Sequence, residues 1–244
     1  MAVAINCDMG ESFGLYKMGD DEGIMPYITV ANVACGFHAS DPVVMHKTVR
    51  LARQHGVKVG AHPSFPDLQG FGRREMKIPR AELADLLIYQ IGALRGFLEC
   101  ERVALNHIKP HGVLYGMAAR QEEVANAVCD AAEVFRVPLF GMAGTLHEKV
   151  YQARGFAFVS EFYADLDYDQ NGGLIITREH HAVEPKEAAL RSVRAVEEGK
   201  VKSVAGNDVP VRAEAVCVHS DTPNAVAIAR AVREALAPYM ERAA

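Results

Sequence analysis

Residues 103–112 read Val103-Ala104-Leu105-Asn106-His107-Ile108-Lys109-Pro110-His111-Gly112. A β-type run enters this stretch and a Pro-His-Gly turn ends it. In an extended segment successive side chains alternate between faces, so His107, Lys109 and His111 share one side while Asn106 and Ile108 share the other. A helical reading fails, because Pro110 would delete a backbone donor and clash with the preceding turn. The His107–His111 spacing is therefore not the helical two-histidine zinc pattern. A strand that ends in titratable groups is what an active site at the carboxyl edge of a parallel sheet looks like.

The same layout recurs on both sides of this stretch. Residues 3–8 read as a first strand that delivers Asn6 and Asp8 on one face, with Glu11 close behind on a glycine turn. Residues 28–34 form a second β-rich run that stops at Cys35-Gly36-Phe37-His38-Ala39-Ser40-Asp41-Pro42. Asp41 is a natural N-cap and Pro42 a natural first helical residue, so a helix is expected to about Gln54, stopped by Gly56. A short third strand over 57–61 leads to His62 and a loop carrying Pro63, Pro66, Gly70 and Gly72, then Arg73 and Arg74. Long shaped loops in compact domains are usually functional, and either arginine suits a two-pronged contact with a carboxylate or phosphate.

Beyond residue 79 the pattern continues. Leu83, Leu86, Leu87, Ile91 and Leu94 recur at helical spacing, and Val124, Ala127, Val128 and Ala131 mark a second helix over about 121–133. Strands are expected over 138–142 and 156–162, the second ending at Tyr163-Ala164-Asp165. His147 falls in the helix between them. A helix over 186–198 is stopped by Gly199. A last strand over 215–219 ends at His219, followed by Ser220-Asp221-Thr222-Pro223 as a further cap and first-position proline. Strands spaced by helical segments in about seven repeats call for a parallel sheet. Polar strand ends occur on every repeat rather than at one switch point, which favours an α/β barrel over an open sheet.

Composition narrows the function. At 244 residues and 50% hydrophobic content the chain can be a single barrel domain over 1–244. A formal charge of −5 with no basic stripe argues against nucleic acid. Five cysteines with no C-x-x-C pair indicate neither a zinc ribbon nor a closed disulfide set, and fit a reducing cytoplasm. The amino terminus has no secretory pattern, and no apolar stretch approaches the roughly 20 residues needed to span a bilayer.

The collected strand-end set is Asn6, Asp8, Glu11, His38, His62, Arg73, Lys109, His111, Asp165 and His219. Carboxylates beside imidazoles can divide acid and base work, and Lys109 can stabilise a developing oxyanion. The G-x-S-x-G elbow, the Walker A loop and the G-x-G-x-x-G fingerprint are absent. A divalent metal held by Asp8 with His38 and His62 is chemically normal.

Four blocks, Asn6-Cys7-Asp8-Met9-Gly10-Glu11, residues 32–39, residues 60–74 and His107-Ile108-Lys109-Pro110-His111-Gly112, resemble the signature blocks of the LamB/YcsF family, and residues 162–165 and 216–223 also fit. The resemblance implies a distorted (β/α)7-type barrel of the glycoside hydrolase and deacetylase kind. It implies opening of the lactam of 5-oxoproline to glutamate with ATP as co-substrate, the chain serving as the A component of a 5-oxoprolinase beside B and C components. In that scheme Asp8 or Glu11 acts as base, His38, His62 and His111 move protons, and Lys109 with Arg73 faces phosphate or substrate carboxylate. Asn6 and Asp165 join Arg73 as binding residues.

One region departs from the family. Its members carry an Asp-Arg pair after the sixth strand, then Pro-Arg and Gly-Ala. Here stand Asp165-Leu166, Ile176-Thr177 with Arg178 one place later, and His180-His181-Ala182. A related lactam or cyclic amide is therefore an alternative substrate. Two further readings stay open: a metal-dependent deacetylase-like amidohydrolase that needs no ATP, and a non-catalytic substrate-binding subunit.

Overall fold

The computed structural model describes residues 2–176 and 181–240; Thr177, Arg178 and His180 of the departing loop lie outside them. Seven parallel strands close into a barrel: β1 (Ala4–Met9), β2 (Val30–Ala34), β3 (Lys58–His62), β4 (Leu105–Ile108), β5 (Leu139–Gly141), β6 (Phe158–Tyr163) and, last in the chain, β11 (Ala215–His219). Closure comes from β1, which pairs with β2 on one side and β11 on the other. Between β6 and β11 lie two small antiparallel ribbons, β7 (Asp167–Tyr168) with β8 (Leu174–Ile175), and β9 (Lys200–Lys202) with β10 (Asp208–Pro210).

Helices α1 (Asp21–Ile24), α2 (Pro42–Gln54), α3 (Arg80–Glu101), α4 (Gly112–Arg120), α5 (Glu122–Phe135), α6 (Leu146–Ala153), α7 (Pro185–Glu198) and α8 (Ala225–Leu236) occupy the crossovers and follow the last strand. None of the described helices is long and apolar enough to cross a membrane. The α2 start is the expected one: Asp41 accepts from the Val43 and Val44 amides at 2.8 and 3.1 Å, with Pro42 next. Gly199 ends α7 in the left-handed conformation.

Two local expectations are corrected. Helix α4 has no counterpart in the sequence pattern, because Gly112 and Gly116 interrupt it and residues 114–119 are buried all round, leaving no amphipathic period. The last helix starts at Ala225, not after an Asp221 cap and Pro223. Asp221 instead meets Arg73 at 2.9 Å, and the Asn224 side chain is drawn to the Val183 backbone.

Strand alternation sorts the barrel residues into two environments. Ile5, Cys7, Val33, Ala61, Ile108, Phe162 and Val216 belong to the large core shared with Leu87, Leu94, Val128 and Ile228 of the helices. Inside the barrel a small apolar plug, Ala4, Val30, Phe140, Val159 and Ala215, fills the amino-terminal end. Further along the axis the interior turns polar: Asn6, Asn32, His107 and Glu161, then Asp8, His62, Lys109 and His219, all buried.

The middle of the barrel depends on a missing side chain. A Cβ built on Gly60 would overlap the His107 imidazole. That ring cannot retreat, since it stacks on Phe140 at 3.9 Å and its Nε2 donates to Asn32 Oδ1 at 2.7 Å. Gly60→Ala is therefore expected to destabilise the fold by about 3 kcal/mol, the upper range for overpacking. Urea denaturation checks this, and a loss below about 1 kcal/mol would show that the interior has slack.

Candidate active site

The carboxyl ends of the strands carry the site. Asp8 leaves β1 and is its centre: Oδ1 accepts from Asn32 Nδ2 at 2.7 Å and from Lys109 Nζ at 2.9 Å, while Oδ2 lies 3.2 Å from His62 Nε2 and 3.7 Å from His219 Nε2. Beneath it a chain of amides and imidazole fixes the carboxylate: His107 donates to Asn32, which donates to Asp8 and to Asn6 Oδ1. Lys109 also meets Glu161 Oε1 at 3.2 Å and Cys217 Sγ at 3.2 Å. His219 is oriented by Asp165, which accepts from its Nδ1 and from its backbone amide, each at 2.8 Å.

The β3 loop folds over one side. Gln90 on α3 clamps Ser64, accepting from its amide at 3.0 Å and donating to its carbonyl at 2.8 Å, and Arg74 pairs with Asp67. Gly72, at φ 63°, sits where a Cβ would press within 2.9 Å of both His38 and His111. This close approach brings His38, His62 and His111 together: His38 stacks on His111 at 3.8 Å, and His62 meets His111 edge-on at 4.8 Å.

Asp8, His62, Arg73, Lys109, His111 and His219 line a cavity of about 30 Å³, with Tyr115 and Tyr163. Leu166, Leu174 and Ile176 from the β7–β8 segment complete its wall. Six of the ten residues collected from the sequence thus line this one cavity. Asn6 lies one layer below, Asp165 lies behind His219, and Glu11 and His38 lie behind His111. Arg73 lines the cavity whereas Arg74 is spent on the loop. Sequence reasoning misses Glu161 and Asn32 as members of the site, and puts His107 on the face of Lys109 and His111 without adding it to the strand-end set. Glu161 is detectable, being an acid two residues from Tyr163 on the same face of a largely apolar strand.

Charge is distributed unequally. Burial disfavours ionised Asp8, but His62 and Lys109 outweigh it and hold the carboxyl well below the usual range. Desolvation of Lys109 is likewise overcome by Asp8, Cys217 and Glu161, which raise it well above an ordinary ammonium. Glu11 goes the opposite way: burial, with Asp221 and Asp8 nearby, pushes its carboxyl well up. Burial drives His38 and His111 well down, aided by His62 and His38 respectively. His219 resists burial through Asp165 and is raised. Two carboxyls held apart in this way, with an imidazole that protonates readily beside them, are the ingredients of acid–base catalysis.

Among the described residues two buried groups have donor atoms close enough to hold a metal, Glu11 with His38, His62 and His111, and Asp8 with Cys217 and His219. The expected Asp8-His38-His62 triplet is thus regrouped, because Lys109 and Asn32 draw Asp8 away from His38. In the Asp8 group the Lys109 ammonium already supplies the cation.

The sequence profile of the LamB/YcsF family matches residues 3–242. The chain belongs to the LamB/YcsF family. Among relatives of this LamB/YcsF chain, the 5-oxoprolinase A subunit of Bacillus licheniformis is 47% identical, covering 96% of this chain and 94% of that one. The lactam utilization protein lamB of Emericella nidulans is 45% identical, with coverages of 98% and 95%. A crystal structure of a lactam utilization protein from Thermus thermophilus superposes with a TM-score of 0.90 at 45% identity, covering 98% of this chain and 97% of that one. A GH113 β-1,4-mannanase aligns at a TM-score of 0.51 and 10% identity, a likeness of barrel alone.

Proposed function

We propose that this LamB/YcsF chain opens a lactam, with 5-oxoproline as substrate and glutamate as product, as the A component of an ATP-dependent 5-oxoprolinase that also contains B and C components. The observation that carries this reading is the convergence of ionised Asp8, Lys109 and the Asp165-oriented His219 on one small cavity. The names of the relatives at 44–47% identity support the substrate class.

A lactam carbonyl is a poor electrophile, and transfer of the γ-phosphoryl of ATP to its oxygen makes it a good one. Water, losing its proton to Asp8, then adds to the carbonyl carbon. The C–N bond breaks as His219 gives a proton to the ring nitrogen, and the acyl phosphate left behind is hydrolysed by a second water. Lys109 and Arg73 face the phosphate or the substrate carboxylate. The apolar wall of Leu166, Leu174 and Ile176 suits the ring methylenes. A cytoplasmic setting, where ATP is present, fits this chemistry.

The test is reconstitution. The chain with the B and C components, given 5-oxoproline and ATP, is expected to release glutamate with matched phosphate. Absence of glutamate with all three components present would overturn the reading. The four-residue His and Glu cluster favours a second reading, a metal-dependent amidohydrolase without ATP, and lactam or acetamide hydrolysis by this chain alone would select it.

A further inference from the structure

Two backbone carbonyls decide the protonation of two histidines. The Lys109 carbonyl is 2.8 Å from His62 Nδ1, and the Phe71 carbonyl is 2.8 Å from His111 Nε2. A carbonyl oxygen only accepts, so each of those ring nitrogens donates. In the neutral rings the other nitrogens, His62 Nε2 and His111 Nδ1, then present lone pairs, and they stand 2.9 Å apart. Lone pairs so close repel unless a cation joins them. Glu11 Oε1 lies 3.4 Å from His111 Nδ1 and 3.6 Å from His38 Nε2. Neither that oxygen nor either ring nitrogen of His38 has a hydrogen-bond partner among the described residues. Both side chains are deeply buried, His38 at 0% and Glu11 at 4% exposure. Such unsatisfied polar atoms cost about 1–3 kcal/mol each.

We propose that Glu11, His38, His62 and His111 form a binding site for one divalent transition-metal ion of the zinc class. Their donor atoms all lie within 4.8 Å of one another. Three imidazoles and one carboxylate suit zinc, cobalt or iron(II), whereas calcium and magnesium prefer oxygen cages. Metal–ligand bonds of about 2.0–2.1 Å separate neighbouring donors by roughly 2.9–3.4 Å in octahedral and tetrahedral arrangements. The 2.9 and 3.4 Å separations fall in that range. The Lys109 and Phe71 carbonyls serve as the outer partners that hold ligating histidines in the required tautomer. No hydrogen bond pins His38, so a turn of its ring off His111 aims Nε2 at the ion. A proton on His62 Nε2, which also faces Asp8 Oδ2 at 3.2 Å, would relieve the repulsion as well, but it would leave His38 and Glu11 Oε1 unsatisfied. The site stands whatever substrate the neighbouring cavity takes.

The full chain, purified without a polyhistidine tag, is stripped with dipicolinate, incubated with zinc or cobalt(II), and passed through a desalting column. The wild type is expected to retain one equivalent by elemental analysis, to melt at higher temperature when loaded, and to show cobalt d–d absorption. Among the described residues, His38→Ala and Glu11→Gln remove no hydrogen bond except the long one from Ser220 to Glu11, so both should fold by circular dichroism. Each is expected to bind at least about 100-fold more weakly, beyond the range for losing an outer partner. His46→Gln, on α2 and outside the cluster, should bind as the wild type does. A wild type that retains no metal, or a Glu11→Gln and His38→Ala pair that binds as tightly as wild type, would overturn the proposal.

Discussion

If the chain opens lactams as proposed, Asp8→Asn is expected to lower turnover of the reconstituted complex by on the order of a thousandfold, the combined scale of lost general-base and electrostatic catalysis. The reasoning starts from its partners. Asn32 and Lys109 approach Oδ1 at 2.7 and 2.9 Å, and His62 faces Oδ2 at 3.2 Å. His62 and Lys109 hold the Asp8 carboxyl far below the usual range, which favours its anionic form. Asparagine imitates the protonated acid, which the native protein does not reach near neutrality. Shape and the acceptor for Asn32 survive, and Lys109 keeps Glu161 at 3.2 Å, so the fold persists. Glutamate release and a thermal melt, measured side by side, test this. Turnover within tenfold of wild type would remove Asp8 from the chemistry.

Lys109→Met is expected to lower stability as well as the proposed activity. Its ammonium is buried between Asp8 and Glu161, at 2.9 and 3.2 Å. Removing it strands two carboxylates inside the barrel. Breaking a buried pair by deleting one partner costs about 3–5 kcal/mol. In a chain of this size that lowers the melting temperature by roughly ten degrees. Adding Glu161→Gln removes one of the stranded charges, so the double variant should recover part of the stability and none of the activity. Such non-additivity is the signature of charges that share one cage. A single variant that melts with the wild type would show that the ammonium does not hold the interior together.

Much of this arrangement is written in local patterns. The inward parity of Asn6 and Asp8, and of His107 and Lys109, follows from strand alternation, and the Asp41-Pro42 start of α2 follows from capping chemistry. Other parts need tertiary context. The pairing of β1 with β11 joins the two ends of the chain, which no local period encodes. Asn32 looks like an ordinary strand residue until its hydrogen bond with His107 is seen. Glu11 joins the histidines because Gly72 lets a loop from β3 fold back, and Asp8 leaves them because Lys109 holds it. Asp221 cannot cap α8 once Arg73 has claimed it.

The β7–β8 segment has a consequence for how such proteins diversify. Every charged group around Asp8 is rooted in a strand end or the loop just beyond it, whereas Leu166, Leu174 and Ile176 come from a ribbon outside the barrel. Under the proposed function, reactivity and selectivity would be encoded in separate stretches of polypeptide. Exchanging residues 166–176 between homologues would change which ring is admitted and leave the proton-transfer apparatus untouched, so this ribbon is the natural place for such enzymes to acquire new diets.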